Sequence, residues 1–155
     1  MAREAYKRVR HPWHPAIVHF PIACWALGTV IDVIVWTGTT PGLRGIESAA
    51  LSHLLIWGGI VFAVPAVLAG LIDYLALPRI VQEGTAINRH MIWMGSAWGL
   101  FLVAGVARVQ AGPFDATAAW WVVLIELAGF ACLILGGRAA ATVVFDQMMG
   151  SRADR

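Results

Sequence analysis

The stretch His14-Pro15-Ala16-Ile17-Val18-His19-Phe20-Pro21 carries the chain from a basic tail into an apolar run that continues to Trp36. Between Ala16 and Trp36 the only ionisable groups are His19 and Asp32, apart from the thiol of Cys24. A run of this length can cross a hydrocarbon core, which takes about 20 residues. An imidazole placed just inside such a span is costly and needs a reason.

Outward from this stretch the same pattern recurs three times. Apolar runs cover about 49–77, 87–110 and 118–141, separated by the turn-forming stretch Thr37 to Glu47, a polar loop after Pro78, and Gly112-Pro113-Phe114-Asp115. Hydrophobic residues make up 59% of the 155 and charged residues 13%. A soluble domain has about 45–50% apolar and about 25% charged residues, so the composition places the chain in a membrane. The mean hydropathy of +0.73 agrees. The expected fold is an all-α membrane protein: four transmembrane helices in an up-down bundle, with a basic tail over 1–13, the helical domain over 14–141 and a C-terminal tail over 142–155.

Charge distribution sets the expected topology. Four spans put both termini on one side, together with Arg3, Lys7, Arg8, Arg10, Arg79, Arg89, Arg138, Arg152 and Arg155, against Arg44 and Arg108 on the other. The positive-inside rule makes that side cytoplasmic. A basic flank before an apolar run also resembles a signal peptide, but this run is too long for one and lacks a cleavage signature, so it is expected to stay as an anchor. The net charge of +2 is spread over ends and loops, which leaves no basic face for nucleic acid. No phosphate-binding loop, serine triad or HExxH motif occurs, so hydrolase or ATPase chemistry has no support. Cys24 and Cys132 lie within spans without CxxC or CxxCH spacing and are expected to be packed thiols.

Depth along each span groups the polar residues. His19 and His90 each lie three residues into spans one and three from the same side, ~4.5 Å along the axis at ~1.5 Å per residue. In a four-helix bundle these spans are diagonal, ~11–14 Å apart for neighbours at ~8–10 Å. Ala66, Ala69 and Gly70 in span two and Gly136 and Gly137 in span four reach the same end. Small residues there either let helices pack closely or leave room for a flat cofactor.

The second option is most economically a b-type haem with His19 and His90 as axial ligands, Asp73 fixing a histidine tautomer, and Arg89 or Arg138 for the propionates. Against it stands structural hydrogen bonding of the two histidines. A His/His/Asp set with His14 as fourth ligand would suit a transition metal such as zinc. At the other end Asp32, His53, Arg108 and Glu126 form a second polar group. Arg108 pairing with Glu126 or Asp32 to hold register is one reading; a proton or quinone-headgroup site at Glu126 or His53 is the other. Gly95 and Gly99 form a GxxxG that suits a helix contact, including one between copies of the chain.

The elements His14-Pro15, Val18-His19-Phe20-Pro21-Ile22 with Asp32, Gly70 with Asp73, and His90 together resemble a bacterial membrane family, domain of unknown function 2231. The likeness extends from His14 to about Arg138, and the family's histidine and aspartate positions fall on His14, His19, Asp32, Asp73 and His90. The resemblance implies about four spans in a bacterial inner membrane. It also implies company with Rieske-type and other redox proteins, and hence electron transfer. The expected function is a haem-binding electron-transfer subunit of a larger membrane redox assembly, in contact with lipid and other subunits. The alternatives are a cofactor-free accessory subunit and a metal-ion binder.

Overall fold

The computed structural model describes residues 13–38, 46–76, 79–82, 84–112 and 117–142. The basic tail with His11, the loop residue Arg44, and the C-terminal tail beyond Thr142 lie outside the described residues.

Six helices account for nearly all of the described chain: α1 Trp13–Ile17, α2 His19–Thr37, α3 Ile46–Leu75, α4 Arg79–Gln82, α5 Thr85–Ala111 and α6 Trp120–Thr142. Four candidate spans follow, the first formed by α1 and α2 together over Trp13–Thr37. The expected spans agree with these within a few residues, and no strand occurs among the described residues. The helix α3 runs unbroken through Pro65, whose ring lies on the exposed face.

The first span is divided at Val18. Pro21 has no N–H to offer the carbonyl four residues back, so the helical ladder loses a bond there. The ladder resumes with the longer Ile22 N–H to Val18 O bond at 3.4 Å. At its far end α2 stops at Gly38, whose φ of 67° is left-handed and whose N–H reaches Ile34 O at 3.0 Å. Glycine is the residue that takes this conformation without a Cβ clash.

The bundle packs α2 against α3, α5 against α6, α2 against α6 and α3 against α5. Spans one and three are therefore diagonal, as expected. Their side chains still meet across the centre, where Trp25 stacks on Phe101 with ring centres 4.7 Å apart and planes 2° from parallel. Trp25 also donates from Nε1 to Ile56 O at 3.2 Å. A Cβ at Gly59 would lie 2.4 Å from that same nitrogen, so the indole occupies space that only glycine leaves.

Buried positions recur every three or four residues: Pro21, Trp25, Gly28 and Asp32 in α2, and Ala97, Phe101, Ala104 and Arg108 in α5. This is the repeat of helices crossing at a shallow angle. The outward faces are apolar as well, with Ile72, Leu75, Val61, Val67 and Ile92 all more than half exposed. In a soluble protein such a surface would aggregate; here it is the lipid-facing side.

Candidate functional site

Two polar sites occupy opposite ends of the bundle. At the end where spans one and three begin, His14 and His90 meet, with ring centroids 6.2 Å apart and planes at 86°. His14 belongs to α1, which the break at Val18 sets against α3. Its Nδ1 lies 2.7 Å from Ala66 O. His90 Nδ1 lies 2.9 Å from Gly136 O.

A carbonyl oxygen can only accept, so Nδ1 carries the hydrogen in both rings and the lone pair of each neutral imidazole sits on Nε2. Neither Nε2 makes a hydrogen bond among the described residues. Metal-ligating histidines adopt this tautomer, held by a backbone or carboxylate acceptor. Gly70 makes room for the first ring: a Cβ there would lie 2.7 Å from His14 Nδ1.

The residues expected at this end separate. His19 is exposed on the outer face of α2, and its ring makes no contact with His90. The buried face of α2 follows 21, 25, 28 and 32, and three- and four-residue steps back from Pro21 reach Val18 and then His14. The histidine in phase with the core is thus His14. On α5 His90 lies in phase with Ile87 and Ala97 and is half-buried. Asp73 is half-buried one turn beyond Gly70 and bonds to neither ring; the carbonyls of Ala66 and Gly136 fix the tautomers. Arg89 and Arg138 are exposed, next to His90 and two residues beyond Gly136 respectively. Among the described residues no cluster of three or more His, Cys, Asp or Glu side chains could hold a metal ion, so the His/His/Asp set is not assembled.

At the opposite end a buried ionic quartet joins all four spans. Arg108 of α5 donates from Nε (3.1 Å) and Nη2 (3.0 Å) to Glu126 Oε1 on α6. Its Nη2 also bonds to Asp32 of α2 and, at 3.1 Å, to Ser52 Oγ of α3. The Ser52 hydroxyl donates to Asp32 Oδ2 at 2.5 Å. Relative exposure is 5% at Arg108, 2% at Asp32, and 0% at Ser52 and Glu126. Arg108 pairs with both acids, where one had been expected. His53 is buried beside Ser52.

Ser52 escaped the sequence reading because a serine in an apolar span carries no charge to mark it. The signal was its phase, three residues past buried Ala49 and four before buried Ile56. Three atoms in this region lack a partner: Thr29 Oγ1, Arg108 Nη1 and Glu126 Oε2. Thr29 also lines an apolar groove between α2 and α6, with Ala26, Val30, Leu127 and Phe130.

A family model described as a predicted membrane protein (DUF2231) matches residues 10–153. No curated protein and no solved structure matches the chain.

Proposed function

This chain belongs to the DUF2231 family of membrane proteins, and from that premise we propose that it is a b-type haem-binding electron-transfer subunit of a larger membrane redox assembly. The observation that carries the reading is the histidine pair: two rings from diagonal spans, each tied through Nδ1 to a backbone carbonyl, with both Nε2 atoms left to ligate. The two ring centroids lie 6.2 Å apart.

The residues that would hold the haem in this proposal are His14 and His90, in place of the pair His19 and His90. Gly70 leaves room for the His14 ring, and the exposed Arg89 and Arg138 would supply guanidinium groups for propionates. A haem bound here supplies one-electron transfer. The chain's own residues would fix ligand tautomer and spacing, and the lipid-facing helices would hold the site at one membrane surface.

The test is a reduced-minus-oxidised visible spectrum of the detergent-solubilised protein, expressed with haem supplied, beside His14→Ala, His90→Ala and His19→Ala. The reading expects a low-spin b-type spectrum near one haem per chain, lost in the first two variants and kept in the third. A flat spectrum from folded wild-type protein would overturn it in favour of a cofactor-free accessory subunit, in which the two histidines only tie helices together. Loss in His19→Ala with retention in His14→Ala would return the ligand role to His19.

A further inference from the structure

The quartet at the other end holds two carboxyl groups and one guanidinium, all nine-tenths buried or more. Fully ionised, it would leave one uncompensated negative charge in the bundle, which is expensive where water is excluded. The two acids are not equally placed to bear it. Asp32 Oδ2 receives both the Ser52 hydroxyl and Arg108. Glu126 shares Arg108 through Oε1 alone, while Oε2 is buried with no partner.

We propose that the Asp32–Ser52–Arg108–Glu126 quartet is a proton-binding site whose exchangeable proton is carried by the Glu126 carboxyl. Uptake forms one O–H bond at Oε2, transfers no electrons and changes the quartet from one net negative charge to neutral, with Asp32 and Arg108 as the remaining ion pair. Release reverses this. The groups linked to Glu126 come from every other span: Arg108 from α5 directly, and through it Asp32 from α2 and Ser52 from α3, with Thr29 one turn before Asp32 and His53 next to Ser52 also buried.

Glu126 is six residues from the start of α6, Arg108 three from the end of α5 and Asp32 five from the end of α2, or ~9, ~4.5 and ~7.5 Å of helix at ~1.5 Å per residue, so this end of the bundle is the nearer one. The proton is therefore exchanged with the aqueous phase beyond the α2–α3 and α5–α6 connections, at the opposite end from the histidine pair. The unpartnered Nη1 of Arg108 keeps a second donor beside the site when the carboxyl is ionised.

Infrared spectroscopy of the purified full chain in lipid, without added haem, tests this directly. A single protonated-carboxyl C=O band is expected, separate from the carboxylate bands, moving to lower frequency after transfer to D2O. Glu126→Gln removes it. Glu126→Asp shifts its frequency, whereas Asp32→Glu leaves it in place. Asp32→Asn removes it as well, since the lone remaining acid then ionises against Arg108. Absence of the band in wild-type protein, its survival in Glu126→Gln, or its failure to respond to D2O would each overturn the proposal. A shift in Asp32→Glu with none in Glu126→Asp would place the proton on Asp32 and overturn the assignment to Glu126. Glu126→Gln keeps the side-chain shape, and its helical circular dichroism confirms that loss of the band is not loss of the fold.

Discussion

The two ends of this bundle treat buried polarity in opposite ways. At one end His14 and His90 each give their single hydrogen to a backbone carbonyl and hold a lone pair in reserve. At the other, Arg108 binds two acids and a hydroxyl from three other helices, yet three atoms nearby lack partners. The histidines are half-buried, whereas every member of the quartet is buried. The first end is built to position atoms, whereas the second is built to hold helices and balance charge. Removing the cation that joins the quartet should therefore cost more stability than removing either histidine.

The largest break in that contrast is Arg108→Leu. Taking away the one cation leaves two buried acids with each other for company, and breaking a buried ion pair from one side costs about 3–5 kcal/mol. Denaturant titration in mixed micelles should show that loss, or no folded protein at all. His14→Ala removes one hydrogen bond to a carbonyl and should cost only about 0.5–1.5 kcal/mol in the same titration. Equal losses in the two variants would erase the distinction between the ends.

Gly59→Ala tests the packed layer between them. Its new methyl would press on Trp25, which is held by the Phe101 stack and by its bond to Ile56, and overpacking of this kind costs about 1–3 kcal/mol. Gly70→Ala would press on His14 instead, at a site beside the helix break. If the proposed haem is bound, its retention should fall several-fold there while the unfolding midpoint moves less than in Gly59→Ala. An unchanged spectrum in Gly70→Ala would separate the glycine from the ligand site.

The smallest effect is expected at Gly95, where an added Cβ meets nothing within 4 Å. Gly95→Ala should leave stability unchanged or raise it by up to about 1 kcal/mol through helix propensity. The GxxxG formed with Gly99, where a Cβ also meets nothing, therefore serves no contact within the described monomer. Size-exclusion of Gly95→Ala beside wild type checks whether it serves one between copies.

The sequence by itself determined the membrane class and the number and approximate bounds of the spans. Long apolar runs between turn-formers leave little else for a chain that must satisfy its backbone internally. It also determined that Asp32, Arg108 and Glu126 share a depth, because residue counts from span ends translate directly into height along a helix. Only the tertiary structure decided which histidine meets His90. Counting gives height but not azimuth. The first span keeps its helical phase through Val18, whose φ of -61° and ψ of -21° are right-handed helical, and α1 packs against α3. With Pro21, Trp25, Gly28 and Asp32 against the core, that phase turns His14 inward to Ala66 and leaves His19 on the outer face; which face is buried is decided by the neighbouring helices.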